Sequence, residues 1–399
     1  SPRSRFTDDT VMTVAVARGL MQAYGQEQAC REAFIDAMHE YGRAYSRAGY
    51  GQRFFRWIVT GSRAPYNSFG NGSAMRVSPV GWACDSLEET ERYAALSASV
   101  THDHPEGIKG ACATAAAIFL ARDGAGRDAI RDYISFRYGY DLSRSLAEIR
   151  PSYRHKESCQ ESVPEAIIAF LESRSFEEAV RNAVWLGGDS DTQAAIAGSI
   201  AEAFYGGVPQ PMRDAALALL DDRLRGDVTA WYAWLAVHRG LPLDRKAVPV
   251  QEQEISVSAT GRDIMETMPK AGMTGQWETT VEEGMLAAAV GSGEVRVLAT
   301  PMMIMGMERA AMEAIRPCLP EGMTSVGTRV DISHMAPTPC GMKVRFEAKL
   351  TAVSANGRGL TFAVTAYDEV GPIGEGSHER VVVDREKFQS RAQAKGGQE

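Results

Sequence analysis

The sequence has no apolar run long enough to span a bilayer, and its cysteines are few and scattered. The most apolar stretch, residues 111–121, is far shorter than the roughly 20 residues that a membrane helix needs. No basic start followed by an apolar run marks a signal peptide. The six cysteines show neither CxxC spacing nor the density of a secreted disulfide scaffold. We therefore expect reduced thiols, no membrane association and a cytoplasmic location.

The sequence also lacks any concentration of positive charge. The formal net charge is -8, and no stripe of Lys and Arg is present, so we expect no nucleic-acid partner. The chain is 44% hydrophobic and 24% charged, which excludes disordered and collagen-like classes. Its 399 residues exceed one ordinary core at about 150 residues per domain. We expect two domains.

The hydrophobic periodicity changes along the chain. Residues 1–240 show helical spacing, for example at Ile196, Ile200 and Phe204, and predict an all-α domain. Residues 241–273 are rich in Pro, Gln, Glu, Ser and Gly and predict a linker. Residues 274–388 alternate apolar and polar positions and predict an α+β domain followed by a disordered tail at 389–399. In this half we expect strands at 326–332, 344–350, 360–366 and 379–383, a turn at Asn356-Gly357, and a helix at 301–316.

Two acidic clusters stand directly before predicted helices, Thr7-Asp8-Asp9-Thr10 and Asp189-Ser190-Asp191-Thr192. Helix capping explains either cluster taken alone. One cap suffices per helix, however, and each cluster supplies two carboxylates and a hydroxyl. Four converging carboxylates would repel one another unless cations neutralised them, and oxygen donors favour Mg²⁺ or Mn²⁺ over zinc.

Residues 1–240 resemble the ADP-ribosylglycohydrolase family. The resemblance rests on four motifs that follow one another along the chain. They are the first acidic cluster, the segment Ser68-Phe69-Gly70-Asn71-Gly72-Ser73-Ala74-Met75-Arg76, the pair Thr101-His102, and the second acidic cluster with Gly187-Gly188 before it. It implies that two Mg²⁺ ions are bound by Thr7, Asp8, Asp9, Asp189, Asp191 and Thr192. It also implies that Asp9 handles protons and that the substrate lies against Ser68, Gly70, Asn71, Gly72 and His102.

Taken alone, the segment 68–73 would be an ordinary surface turn, and His102 a surface or capping histidine. By the resemblance, a helix with a Gly-Asp motif and a nearby acid would precede the first acidic cluster. Because the chain begins at Ser1, a few residues before that cluster, we expect this N-terminal helix to be missing.

Three residues of the second half stand out. Thr300 before Pro301 is explained as an N-cap. Glu308 lies on the apolar stripe of the predicted helix, where a lone carboxylate would lose its hydration, as functional acids do. The alternative is that Glu308 reaches solvent or pairs with a basic neighbour. His334, between a predicted strand and a Pro-rich turn, would by itself be a loop histidine.

Residues 274–388 resemble the fluoroacetyl-CoA thioesterase family of hot-dog proteins. The resemblance rests on Thr300, Glu308, Gly327-Thr328, His334 and the segment Gly374-Glu375-Gly376-Ser377-His378-Glu379-Arg380. It implies that Thr300, Glu308 and His334 form the catalytic set and that the Gly327 region offers N–H groups to a thioester carbonyl. It also implies a homodimer with sites at its interface.

Together the two resemblances predict a bifunctional hydrolase. One site would cleave ADP-ribosylated proteins or small ADP-ribose conjugates with Mg²⁺, and the other would cleave short acyl-CoA thioesters. The alternative is a non-catalytic protein that binds or senses ADP-ribose and acyl-CoA.

Overall fold

The computed structural model describes residues 5–240, 269–320, 322–354, 357–386, 388, 389 and 393. The chain divides into two compact units, Ser1–Gly261 and Arg262–Glu399. This division falls inside the predicted linker, of which residues 241–268 lie outside the described residues. Asn356 of the predicted turn and most of the predicted tail also lie outside them. No described helix is both long and apolar enough to cross a membrane.

The described part of the first unit is helical, which confirms the predicted all-α class. Its helices are α1 Asp8–Ala23, α2 Glu27–Ala44, α3 Gln52–Thr60, α4 Gly72–Met75, α5 Ser78–Ala83, α6 Leu87–Ser99, α7 Pro105–Arg122, α8 Arg127–Tyr138, α9 Leu146–Ile149, α10 Cys159–Leu171, α11 Phe176–Leu186, α12 Ser190–Phe204, α13 Gln210–Leu217 and α14 Asp222–Arg239.

Helix α7 is the centre of this unit. It packs against α4, α5, α6, α8, α10 and α12, and its residues from Gly110 to Ala121 are all buried. Small residues permit this crowding: a Cβ on Gly110 would lie 2.4 Å from Cys159 Sγ. The close packing of α7 holds the start of α4 and the start of α10 beside each other.

Helices α1 and α12 bury apolar faces and end as the sequence predicts. Ile196 and Ile200 of α12 are fully buried, as are most apolar residues of α1. Gly25 and Gly206 follow the C-caps with φ of 91° and 77°, a conformation that side chains disfavour. Glycine at these two positions, a residue typical of helix C-termini, therefore suits the backbone where α1 and α12 end.

The described part of the second unit is a five-stranded antiparallel sheet with one long helix packed on it. Its elements are β1 Thr274–Thr280, α15 Ala287–Val290, α16 Thr300–Ile315, β2 Met323–His334, β3 Lys343–Val353, β4 Gly359–Asp368 and β5 Pro372–Asp384, with short 3₁₀ turns at Glu283–Met285 and Arg316–Cys318. The strand order is β1-β3-β4-β5-β2. All four predicted strands and the predicted helix are confirmed.

Strand β1 was not predicted. Its residues alternate between exposed and half-buried, and Trp277 is its one large apolar side chain. Trp277 stacks on Phe346 of β3 with ring centroids 5.6 Å apart, and Arg309 of α16 lies over the indole. The strand therefore depends on its partners more than on its own periodicity.

Helix α16 packs on one face of the sheet. Met303 and Met307 are buried with Phe346 and Phe362, so these methionines belong to the core. The helix begins at Thr300, and its N-cap is Ala299. The prediction that Thr300 caps the helix was wrong by one residue, because the Thr300 hydroxyl bonds His334 instead.

We predict that Gly275→Ala destabilises the second unit. A Cβ at this position would lie 2.2 Å from the Ala310 carbonyl oxygen and 2.3 Å from the Ala314 nitrogen, both backbone atoms of α16. The helix would have to move off the sheet, and such overpacking costs about 1–3 kcal/mol. The free energy of unfolding in urea measures the loss.

The matched control is Gly284→Ala, because no atom lies within 4 Å of the added methyl group. Equal stability of both variants would show that α16 tolerates displacement from β1.

Candidate active sites

A cavity of about 870 Å³ opens in the first unit, a volume suited to a nucleotide-sized ligand. Its lining brings together segments that are distant in sequence. It includes Asp8, Asp9, Tyr50, Arg53, Tyr66, Ser68, Gly70, Asn71, Gly72, Arg76, His102, Glu157, Asp189, Asp191 and Thr192. Both acidic clusters and the glycine-rich segment therefore face one space.

The acidic clusters begin α1 and α12, but their side chains do not cap these helices. Neither Thr7 nor Asp189, the two N-cap residues, makes a side-chain cap bond. The Thr7 hydroxyl instead donates to Asp9 Oδ2 at 2.9 Å, and the Asn71 amide donates to Asp189 Oδ2 at 2.7 Å. The carboxylates are oriented by neighbours and remain directed at the cavity.

Burial and mutual repulsion make the carboxylates of Asp8, Asp9 and Asp189 hard to ionise. Burial, followed by the charge of Asp9, raises the pKa of Asp8 to about 7, and Asp191 and Asp189 add to the rise. Burial raises the pKa of Asp9 to about 6, against hydrogen bonds from Thr7 and Thr192. Burial, together with Asp191, also raises the pKa of Asp189. The two clusters therefore interact electrostatically across the cavity.

The oxygen atoms at this site are of the kind that bind a hard cation. Asp9 Oδ1 is buried and has no hydrogen-bond partner among the described residues, although Asp9 Oδ2 is bonded. The other donors are carboxylate and hydroxyl oxygens, which suit Mg²⁺ or Mn²⁺. Within the described residues, no three His, Cys, Asp or Glu side chains are grouped tightly enough to hold a metal ion unaided. The ligand types present, carboxylates together with the hydroxyls of Thr7 and Thr192, are those that Mg²⁺ and Mn²⁺ prefer.

The glycine-rich segment forms a loop beside His102. Gly70 pairs with Ser158 in an isolated β-bridge, and the Asn71 N–H donates to the Glu157 carbonyl at 2.7 Å. A Cβ on Gly72 would lie 3.3 Å from His102 Nε2, and a Cβ on Gly70 would lie 3.7 Å from it. The missing side chains leave the loop backbone open to the cavity, and His102 lies against the loop.

Several cavity residues were not predicted as site residues. Arg53 lies over the Tyr66 ring, 5.0 Å from its centroid, and Arg76 is 1% exposed. Arg76 stands in the quoted motif, so its position was visible in the sequence, but its burial was not. A motif gives order along the chain, whereas burial depends on the helices packed around it.

In the second unit the structure brings Thr300 and His334 together. The Thr300 hydroxyl lies 2.9 Å from His334 Nδ1, across the start of α16 and the end of β2. His334 Nε2 is buried and has no hydrogen-bond partner among the described residues. This pair leaves one ring nitrogen available to a ligand or a reacting group.

Glu308 lies elsewhere on the same helix. Its Oε1 is 3.8 Å from His378 Nε2 and 4.0 Å from an Arg380 nitrogen. Glu308 therefore has basic neighbours, which is the alternative to a functional acid that the sequence alone left open. A Cβ on Gly327 would be 2.6 Å from Glu308 Oε1. Gly327 adjoins an irregularity in the pairing of β2 with β5, a feature common beside active sites.

Thr300 and Glu308 are eight residues apart, which separates them by roughly 12 Å along the axis of α16. The described contacts of Glu308 are with His378 and Arg380 and not with Thr300 or His334. The structure thus brings together two of the three residues of the predicted set. His378 and Arg380 stand in the quoted segment 374–380, but only the pairing of β5 with β2 reveals their place.

Comparisons with known proteins match both units. The family model "ADP-ribosylglycohydrolase" matches residues 2–243, and the model "Fluoroacetyl-CoA-specific thioesterase" matches residues 281–386. The human protein "ADP-ribosylhydrolase ARH3" is 30% identical over 267 residues, which covers 50% of this chain and 71% of that protein. "Fluoroacetyl-CoA thioesterase" of Streptantibioticus cattleyicolor is 41% identical over 99 residues, or 25% of this chain and 70% of that protein.

Among solved structures, a "hot-dog-like protein" from Thermanaerovibrio acidaminovorans is 26% identical, with a TM-score of 0.31, and covers 34% of this chain and 99% of that one. The chain is a hydrolase that belongs to the ADP-ribosylglycohydrolase family over residues 2–243 and carries, at 281–386, a hot-dog domain of the fluoroacetyl-CoA thioesterase family.

Proposed function

We propose that the first unit hydrolyses the bond that joins ADP-ribose to a protein side chain or a small leaving group. The observation that carries this proposal is the meeting of Asp8, Asp9, Asp189 and Asp191 in one cavity beside the glycine-rich loop. In the reaction, water adds to the anomeric carbon, the glycosidic bond breaks, and the leaving atom takes its electron pair and a proton.

Two divalent cations, Mg²⁺ or Mn²⁺, would supply electrostatic stabilisation and a more acidic bound water. The residues to hold them are Thr7, Asp8, Asp9, Asp189, Asp191 and Thr192, all at the starts of α1 and α12. Asn71 orients Asp189, and Thr7 orients Asp9. Asp9 Oδ1 has no hydrogen-bond partner among the described residues, which suits this oxygen to take a proton from the attacking water.

The glycine-rich loop would hold the diphosphate and ribose. Gly70 and Gly72 carry no side chain that would separate a ligand from the backbone, and the Ser68 hydroxyl already bonds the Gly70 N–H at 3.2 Å. His102 lies within reach of the same space. The loop therefore supplies positioning, and the acidic end of the cavity supplies the chemistry.

We predict that Asp8→Asn and Asp191→Asn each abolish metal-dependent release of ADP-ribose. Loss of a residue that merely orients a ligand costs about 10–100-fold, so loss of a ligand should cost at least ~100-fold. Chromatography of ADP-ribose released from an ADP-ribosylated protein, with Mg²⁺ or with EDTA, measures the rate. Calorimetry with Mg²⁺ and Mn²⁺ measures metal binding separately.

Asp128→Asn is the matched control, because the same charge is removed from the exposed surface of α8. Full activity in EDTA would contradict the metal requirement. Metal-dependent binding of ADP-ribose without turnover in the wild-type protein would favour the binding protein over the enzyme.

We further propose that the second unit hydrolyses short acyl-CoA thioesters. The Thr300–His334 pair carries this proposal: the Thr300 hydroxyl contacts Nδ1 of His334, and the buried Nε2 has no hydrogen-bond partner among the described residues. Water attacks the acyl carbon, the carbon–sulfur bond breaks, and the thiol leaves with a proton. His334 can move that proton, and N–H groups near Gly327 can stabilise the oxyanion.

The separation of Glu308 from Thr300 supports a site completed by a second copy of this chain. Strand β2 stands at one end of the sheet order, and Gly327 to Asp331 on it are exposed. An exposed edge of this kind is an available surface for pairing. In a two-fold homodimer across this edge, Glu308 and Gly327 of one copy would meet Thr300 and His334 of the other.

We predict that His334→Ala lowers thioester hydrolysis by about 10²–10⁴-fold, the range for loss of a general acid–base. Release of free thiol from acetyl-CoA and longer acyl-CoAs measures the rate. His155→Ala is the control, because His155 is an exposed histidine of the first unit. Equal rates for wild type and His334→Ala would remove His334 from the mechanism.

A mixed dimer tests whether the site is shared. Full chains of Glu308→Gln and His334→Ala, each inactive, are co-expressed with different tags. If each site combines Glu308 of one copy with His334 of the other, a heterodimer has one intact site, and the mixture recovers about a quarter of the wild-type rate. No recovery in purified heterodimers would place the whole site within one copy.

A further inference from the structure

A buried chain of hydrogen bonds links Arg76, Thr101 and His102 at the wall of the nucleotide-sized cavity. Arg76 Nη2 donates to the Thr101 hydroxyl at 2.8 Å and to the Ser97 carbonyl at 3.1 Å. The Thr101 hydroxyl lies 2.8 Å from His102 Nδ1. Arg76 is 1% exposed, Thr101 0% and His102 5%, so their hydrogen bonds must be made within the protein. Among the described residues, Arg76 Nε has no hydrogen-bond partner.

The contacts decide where the protons lie. Arginine has donors only, so the Thr101 oxygen accepts from Arg76. In the described part of the chain, the side-chain contacts of this oxygen are Arg76 and His102. If His102 Nδ1 carried a proton, the Thr101 proton would have no acceptor in a fully buried place. When Thr101 donates to Nδ1, the hydroxyl proton and Nδ1 both have a partner, and the ring proton lies on Nε2.

His102 Nε2 faces the glycine-rich loop. It lies 3.3 Å from the Cβ position of Gly72 and 3.7 Å from that of Gly70, and His102 lines the cavity. In the hydrogen bonds of the described residues, only the Nδ1 side of the ring is used. A proton on Nε2 is therefore presented to whatever lies against the loop.

The charges around the ring keep it neutral. The hydrogen bonds of the Arg76 guanidinium go to the Ser97 carbonyl and the Thr101 hydroxyl, which are uncharged, so its positive charge acts on the ring. Burial lowers the pKa of His102 well below its ordinary value, and the charges of Arg76 and Arg53 lower it further. The neighbouring Tyr66 is neutral, because burial raises its pKa to about 12.

We propose that Arg76 and Thr101 are positioning residues that fix His102 as a neutral Nε2–H donor to a ligand oxygen at the Gly70–Gly72 loop. His102 then acts neither as a general base nor as a metal ligand through Nε2. The identity of the ligand, an ADP-ribosyl group, rests on the proposed function, whereas the place of the ring proton follows from contacts within the protein.

Long-range ¹H–¹⁵N correlation spectra of the full, unliganded chain test the proton placement, with His102→Gln used to assign the signals. We expect a protonated Nε2 and an unprotonated Nδ1 that stay unchanged down to about pH 5.5, below the ordinary histidine value of about 6.5. The exposed His155 should titrate in the same spectra. A proton on His102 Nδ1, or an imidazolium, would overturn the proposal.

Thr101→Val and Thr101→Ser test the positioning role. Valine removes the hydroxyl, so we expect mixed tautomers of His102 and about tenfold weaker binding of ADP-ribose by calorimetry. Serine should restore both signals. Thr114→Val is the matched control, because the buried Thr114 hydroxyl has no partner among the described residues.

Wild-type spectra and binding in Thr101→Val would show that Thr101 has no positioning role. Failure of the wild-type chain to bind ADP-ribose would instead contradict the proposed function. The two failures are distinguishable, because the tautomer is measured without ligand and does not depend on turnover.

Discussion

The repulsion among four carboxylates that converge on one cavity is the constraint on which the first unit depends. Asp8 and Asp9 come from the start of α1, and Asp189 and Asp191 come from the start of α12. Burial and neighbouring charge raise the pKa of Asp8, Asp9 and Asp189. Holding these carboxylates together in their charged form therefore costs free energy. The core around α7 supplies the packing that opposes this cost.

Among the described residues, each proposed site has a side chain proposed to move a proton, and one buried polar atom of that side chain lacks a hydrogen-bond partner. In the first unit it is Asp9 Oδ1, and in the second it is His334 Nε2. Each belongs to a side chain whose other polar atom is bonded to a threonine hydroxyl, Thr7 in one case and Thr300 in the other. The threonine fixes the orientation of the side chain, and the second atom remains available to a ligand. Two unrelated folds thus use the same local arrangement.

Much of the fold was predictable from the sequence. The helical spacing of α12, the β3–β4 hairpin, the long helix α16 and the two C-terminal glycines all follow from local periodicity and backbone sterics. Strand β1 was missed because Trp277 gains its burial from Phe346 and Arg309, which are distant in sequence. The capping of α16 was misplaced by one residue because the Thr300 hydroxyl has a better partner in His334.

The sequence by itself determined the chemistry available: the order of the motifs, the oxygen donors at two helix starts and the glycines of the loop. Only the tertiary structure decided which groups meet. It joined the acidic clusters in one cavity, separated Glu308 from Thr300, and buried Arg76 behind Thr101 and His102. The physical reason is that residue types and local spacing act within a few turns of chain, whereas burial and hydrogen-bond partners come from elements packed across the molecule.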